Sequence, residues 1–402
     1  MRRPAAIGAA IVTPSLPVVS YADGTHRVVA PLDTLARIKP MLAEMGITRA
    51  ANITDLDRLG IPTWCAIRPI CKHVQVSNGK GITHAAAKVG ALMEAIEHWH
   101  AETPLGEFRR ASMAELEREC QPFLAPTALP DFSTEVPHYL TPQRVIDWIR
   151  GERVAPPMPP TPVWLPVCAA YVVEPMLADY STNGLASGNH PVEATLHALY
   201  EIIERDAMAG LLQGGLTLPR GESRVVDLDT LPAGPLAALR DRLVGAGIAM
   251  TLVRVSSSVP VSTFWAAFVD PASPAACTSV NIGHGTHLNP TVAAIRAITE
   301  AAQARLTFIH GAREDLTPEA YEFSDVHKRL RSFFEAQRGD LAWSAIVDRS
   351  SGDLAQDLRT VLGDLRTAGH GDVYRIDLTN PRFGIPVVKM FVPGMVHRPM
   401  HY

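Results

Sequence analysis

Apolar residues at Leu32, Leu35, Ile38, Leu42 and Met45 recur at helical spacing, and Gly46 stops the run. This pattern predicts helix, turn, helix across residues 31–60. A strand is predicted at 61–69 and a long helix at 83–102. Residues 121–166 are rich in proline, including Ala155-Pro-Pro-Met-Pro-Pro-Thr-Pro162, and read as a partly extended connecting insertion. Strand character returns at 163–173, followed by a strong helix at 191–213. Strands are expected at 249–255, 263–269 and 276–282, then a helix at 289–310. Residues 317–402 add helices and two strands, near 373–378 and 386–392. Helices and strands mix without a regular βαβ repeat, which favours an α+β fold over a doubly wound parallel sheet. The expected division is an N-terminal helical and strand region, 1–60, and a main domain, 61–402, with the insertion near 121–166.

Three of the predicted helices carry acids on one face. They contain Gly90-Ala-Leu-Met-Glu94-Ala-Ile-Glu97, then Glu193 with Glu201-Ile-Ile-Glu204-Arg205, and Arg296-Ala-Ile-Thr-Glu300-Ala-Ala-Gln303. Glu193, His197, Glu201 and Glu204 fall within about 80° of arc at 100° per residue. Leu196, Leu199, Ile202 and Ile203 occupy the other side. Solvent-facing helices usually pair Glu with Lys or Arg four residues on, whereas here the neighbours are apolar and lysine is nearly absent. Such sparse acids point to a half-buried site that needs a cation to offset their repulsion. Mg²⁺ suits it, since that ion takes carboxylates together with substrate phosphates.

Glycine-rich stretches precede each acidic helix: Ser77-Asn-Gly-Lys80-Gly81, Ser181-Thr-Asn183-Gly184-Leu-Ala-Ser-Gly188, and Gly283-His284-Gly285-Thr-His287. Each is read as a loop whose backbone N–H groups face an anion. The first is not a P-loop, because Gly81 follows Lys80 where Ser or Thr is required.

Bulk properties narrow the choice. The chain has 402 residues and a formal net charge of −4, with no basic stripe for nucleic acid. Its five cysteines are scattered and form no C-x-x-C pair, which fits reduced thiols in a cytoplasmic enzyme. The N-terminal Met1-Arg-Arg-Pro and the apolar run to Val12 look only faintly like a signal peptide. Pro14 and Pro17 cut that run short, so a strand or turn is expected there. No stretch approaches the ~20 apolar residues of a membrane span.

Together, Gly79-Lys80-Gly81, Glu94-Ala-Ile-Glu97, Asn183-Gly-Leu-Ala-Ser-Gly188, Glu193, Glu201-Ile-Ile-Glu204-Arg205-Asp206 and Arg296-Ala-Ile-Thr-Glu300-Ala-Ala-Gln303-Ala-Arg305 resemble the YcaO family, over roughly residues 25–395. The resemblance implies a fold of mixed or antiparallel sheets packed with helices. It implies an ATP site between helices, unlike a P-loop. Glu94, Glu97, Glu193, Glu201, Glu204 and Glu300 would then hold Mg²⁺. Lys80, Asn183, Arg205, Arg296 and Gln303 would contact the nucleotide. The implied chemistry is ATP-dependent activation of a peptide backbone amide by O-phosphorylation, on a peptide or protein substrate.

Residues 46–62 look like the subgroup that works with a TfuA-type partner, which implies thioamide formation from a sulfide donor. The chain ends Val396-His-Arg-Pro-Met-His-Tyr402, without the P-x-P-x-P tail common in ring-forming members. An azoline-forming cyclodehydratase is the alternative, and a non-catalytic peptide-presenting scaffold is a second. Gly90 stands where many members have Ser, and His98 where many have Arg. No general base stands out. His98, His100, His284, His287 and His310 match no metal spacing and read as turn or packing residues. Cys65 or Cys71 as a persulfide carrier depends on exposure and pKa. A homodimer is the base-rate expectation.

Overall fold

A computed structural model describes residues 18–129, 140–155, 158–173, 180–213, 223–273, 275–316, 318–322 and 324–396. In chain order the elements are α1 (Pro31–Ile38), β1 (Arg49–Asn52), β2 (Thr63–Ile67), β3 (Val76–Lys80), α2 (His84–Glu102), β4 (Phe108–Ser112), α3 (Met113–Arg118), β5 (Val145–Val154), β6 (Thr161–Pro166), β7 (Leu185–Ser187) and α4 (Pro191–Gln213). They continue with β8 (Arg224–Val225), α5 (Pro235–Gly245), β9 (Ala249–Val255), β10 (Ser262–Val269), α6 (Ala276–Ser279), β11 (Val280–His287), α7 (Pro290–His310), α8 (Asp325–Glu335), α9 (Leu354–Thr367), β12 (Val373–Asp377) and β13 (Val387–Phe391).

These strands form three sheets, ordered β1-β2-β3, β11-β10-β9-β8 and β4-β5-β12-β13-β7, with β6 pairing β5 in the last. Every strand pair described is antiparallel. One long helix covers part of each sheet: α2 lies on β2 and β3, α7 on β10 and β11, and α4 on β7 and β13. The expected α+β layering holds. Among the described residues no helix is long and apolar enough to cross a membrane.

The glycine stretches at 77–80 and 283–287 are not loops. They are the edge strands β3 and β11. Their glycines allow a helix to lie directly on the strand. A Cβ on Gly79 would sit 2.0 Å from the Ala91 nitrogen, and one on Gly285 would sit 2.0 Å from the Ala293 oxygen. Of the third stretch, 185–187 is strand β7, preceded by a turn in which Gly184 has φ +76°. Replacing Gly285 with Ala is therefore expected to cost about 3 kcal/mol or more, since the added methyl meets rigid backbone. Gly363→Ala in α9, where a Cβ meets nothing within 4 Å, is the control. It should be stabilising by up to about 1 kcal/mol. Denaturant midpoints of the two variants check both signs.

Other departures have similar causes. The second helix expected within 31–60 is strand β1 followed by a short 3₁₀ turn, Thr54–Leu56. Its residues pair with β2 in the register Ala51↔Cys65, so sheet pairing overrides local pattern. Gly46 does end the preceding segment, at φ +71°, but Leu32 is 69% exposed rather than packed. The proline-rich stretch contributes β5 and β6 to the largest sheet, with Trp148 fully buried there. Pro162 and Pro166 are tolerated because the edge of β6 turned away from β5 is bridged only locally, at Trp164 by Phe123. Residues 276–279 are a helical turn before β11 instead of strand. Residues 1–17, 130–139 and 397–402, with the N-terminal run and most of the C-terminal tail, lie outside the described residues.

Candidate active site

Each sheet ends in an edge strand, β3, β7 or β11, that turns into the helix carrying acids. Thr83 caps α2 by accepting from the Ala86 nitrogen at 3.2 Å, and Asn289 caps α7 by accepting from the Val292 nitrogen at 3.0 Å. Counted from the residue before each helix (Thr83, His190 and Asn289), the three helices share one pattern. The fourth and eighth residues are buried alanines: Ala87 and Ala91, Ala194 and Ala198, Ala293 and Ala297. The eleventh is Glu94, Glu201 or Glu300, and the fourteenth is Glu97, Glu204 or Gln303. Small residues let each helix approach its sheet, and the acids two turns further on point to one centre.

That centre is a cavity of about 720 Å³. Glu94, Glu97, Glu193, Glu201, Glu204 and Glu300 all line it, as do Lys80, Arg205, Arg296 and Gln303. Asn183 does not, although its neighbour Thr182 does. Lys80 Nζ meets Glu300 Oε2 at 2.6 Å, and His284 Nδ1 lies 3.4 Å from Glu300 Oε1. Arg205 reaches Glu201 at 4.0 Å. Arg296 Nη2 is 3.2 Å from His197 Nε2, while Arg296 Nε is buried without a partner among the described residues.

The acids differ in how far they are already engaged. Glu97 Oε1 accepts from the Ser187 nitrogen at 2.7 Å and from its hydroxyl at 2.6 Å. Glu193, expected to hold metal, also ties down the segment before α1. Its carboxylate accepts from the backbone nitrogens of Val28 and Asn189, at 2.9 and 3.0 Å, and from Arg27 Nη1 at 3.3 Å.

Burial governs the electrostatics. It pushes Glu94 up to about 7 against the pull of Arg313 and Lys80, and Glu97 up to about 8 despite Ser187. Glu204 rises to about 7 through burial and the nearby Glu300. Burial works upward on Glu300 too, but Lys80 and His284 hold it well below the usual carboxylate range. His98 falls to about 4 through burial and the adjacent His73, and burial takes His197 well below its ordinary value.

Among the described residues, no three His, Cys, Asp or Glu side chains gather closely enough to hold a metal ion alone. Spread carboxylates with raised pKa values, beside an unpartnered guanidinium nitrogen, suit a hard cation that completes its shell with phosphate oxygens and water. The donor set therefore fits Mg²⁺ bound together with a polyphosphate.

Sequence reasoning missed several wall residues. Arg27 and Arg313 come from segments with no periodic signal, and only the tertiary fold brings them in, while Ser187 lies within a glycine-rich stretch already noted without a role of its own. His284, expected as a packing residue, pairs with Glu300 on the cavity wall. The chain pattern counted from the helix starts was available in the sequence and would have separated Glu193 from the other five acids. Burial raises the pKa of the Cys65 and Cys71 thiols, which opposes a reactive thiolate at either.

A family of YcaO cyclodehydratases, described as ATP- and Mg²⁺-binding, matches residues 78–396. An uncharacterized protein of Methanothermobacter thermautotrophicus is 33% identical over 379 residues, which cover 91% of this chain and 94% of that one. An uncharacterized protein in the tfuA 3′ region of Rhizobium leguminosarum bv. trifolii is 30% identical over 384 residues, 93% of this chain and 89% of that one. Among solved structures, YcaO from Methanopyrus kandleri bound with AMPPCP and Mg²⁺ superposes with a TM-score of 0.73 at 24% identity, covering 94% of this chain and 95% of that one. A heterocyclase in complex with substrate and cofactor gives a TM-score of 0.76 at 22% identity, over 96% of this chain. The chain spans about half, 54%, of that heterocyclase. These two likenesses establish the fold.

Proposed function

The chain belongs to the YcaO family, whose members bind ATP and Mg²⁺, and from that premise we propose that it activates a peptide backbone amide by O-phosphorylation to give a thioamide. A sulfide donor and a TfuA-type partner complete the reaction. The observation that carries this reading is the convergence of glutamates from α2, α4 and α7 on one cavity. Bound Mg²⁺ would neutralise charge on the terminal phosphates. Glu94, Glu97, Glu201, Glu204 and Glu300 are assigned to hold it, with Glu193 anchoring the wall beside them. Lys80, Arg205, Arg296 and Gln303 are assigned to the phosphates. Val29, Pro31, Ile82 and Val89 form an apolar part of the wall suited to the base.

The chemistry follows from the leaving group. An amide oxygen leaves poorly, and its phosphate ester leaves well. Once a nucleophile has added to the amide carbonyl, the oxyanion attacks the γ-phosphate. The chain's task is then positioning and charge stabilisation. Sulfide as nucleophile gives a thioamide, and a Cys, Ser or Thr side chain gives an azoline. The thioamide branch is favoured by a relative described as lying in a tfuA 3′ region.

The test is mass spectrometry of the peptide or protein target from cells with and without this chain. Exchange of one oxygen for one sulfur is expected. Loss of one water would instead establish azoline formation. Absence of phosphate release under every combination of peptide, sulfide and partner would leave only a scaffold.

A further inference from the structure

The cations of the cavity are unevenly placed. Lys80, Arg205 and Arg296 lie on β3, α4 and α7, among the carboxylates already described. A further cation enters from beyond the C-terminus of α7. Gly311, at φ +56°, caps that helix and turns the chain back, and its nitrogen donates to the Thr307 oxygen at 3.1 Å. Arg313 then lines the cavity. Asp315 grips one edge of its guanidinium in a bidentate pair, with Nε donating to Oδ1 at 2.9 Å and Nη2 to Oδ2. A paired grip of this kind fixes the plane of the fork. The loop itself is fastened to the rim, because the Glu314 carboxylate accepts from the Gln75 backbone nitrogen. Gln75 follows closely on His73, whose ring centroid lies 5.6 Å from that of His98, one turn beyond Glu94 on α2, so the loop sits at the Glu94 end of that helix.

Position along α2 gives the ligand a direction. Ala86, in the first turn, and Val89 belong to the end of the wall that holds Ile82, whereas Glu94 lies about 12 Å further along the axis at 1.5 Å per residue. A nucleotide laid with its base at the apolar end carries its phosphates past the acids, and the last phosphate reaches the Arg313 end. We infer that Arg313 contacts the γ-phosphate of the bound nucleoside triphosphate, and that Asp315 is the positioning residue that aims it. This inference rests on the Mg²⁺–ATP reading of the cavity and adds to it a sensor for the phosphate that is transferred.

Calorimetric titration with Mg²⁺–AMPPCP and with Mg²⁺–ADP tests it on the full chain, wild type and variant. Arg313→Ala should weaken AMPPCP about ten- to hundredfold, the range for one charge-assisted contact, and change ADP by no more than about twofold. Arg313→Lys should recover part of the AMPPCP affinity. Asp315→Asn should show a smaller loss of the same selective kind, and it carries the test if Arg313→Ala does not fold. Equal weakening of both nucleotides, or of neither, overturns the assignment. Wild-type protein that discriminates between AMPPCP and ADP, together with variants that discriminate equally well, overturns Arg313 and spares the nucleotide site. Wild-type protein that binds neither nucleotide overturns the site and this assignment with it.

Discussion

Glu204→Gln is expected to lower ATP turnover by about 10²–10³-fold, the scale for losing one group that stabilises transition-state charge, here through the cation it is assigned to hold. The folded protein should be as stable as before, or more so. Glu204 is 5% exposed, and burial together with Glu300 pushes its pKa to about 7. A neutral amide of nearly the same shape removes that repulsion in the ligand-free protein and removes a ligand for the cation. Activity and stability therefore move in opposite directions, as expected where a site is tuned for function. Phosphate-release kinetics and thermal melts on the same preparation check the pair. Unchanged turnover, or a loss of activity that merely follows unfolding, would count against the role.

The second large effect is the pH dependence of ligand-free stability. Glu94, Glu97 and Glu204 have folded-state pKa values of about 7, 8 and 7, against 4.5 for the free side chain. A raised carboxyl holds its proton longer in the folded state than in the unfolded one. Stability from these groups is therefore full below pH 4.5 and falls until pH passes about 8. Buried histidines act the other way. His98, His197, His284 and His287 all lie below the free value of 6.5, so the unfolded chain alone takes up their protons in acid. Stability should thus decline on both sides of roughly pH 7. Glu300, whose pKa is depressed, adds stability that is lost only in stronger acid. Between pH 7 and 8.5 the melting temperature of the free protein should drop, and Mg²⁺–AMPPCP should abolish the drop. A melting temperature that rises across that interval in the free protein would contradict the burial of these acids.

Much of this was legible because the acidic helices carry their instructions locally. The spacing of Glu94 with Glu97, of Glu201 with Glu204 and of Glu300 with Gln303 placed each pair on one face, and the apolar residues between them marked the other. Helix periodicity depends on short-range geometry, so α2, α4 and α7 appear within a few residues of their expected bounds. What the sequence concealed depends on pairing between distant segments. Gly79 and Gly285 look like turn residues until a helix is known to cross them, and β1 looks helical until it meets β2. Glu193 shares the arc of Glu201 and Glu204, yet its oxygens are taken by Val28, Asn189 and Arg27, which no spacing rule could foresee. Arg313 follows a helix end with no periodic signal, and its place at the cavity is set by Gly311 and Asp315.

A crystal structure grown with Mg²⁺ and AMPPCP is the most direct measurement. The account requires Mg²⁺ about 2.1 Å from carboxylate oxygens supplied by at least two of α2, α4 and α7, with the triphosphate between those ions and Lys80, Arg205 and Arg296. Nucleotide bound outside this cavity, or ions touching none of Glu94, Glu201, Glu204 and Glu300, would contradict it.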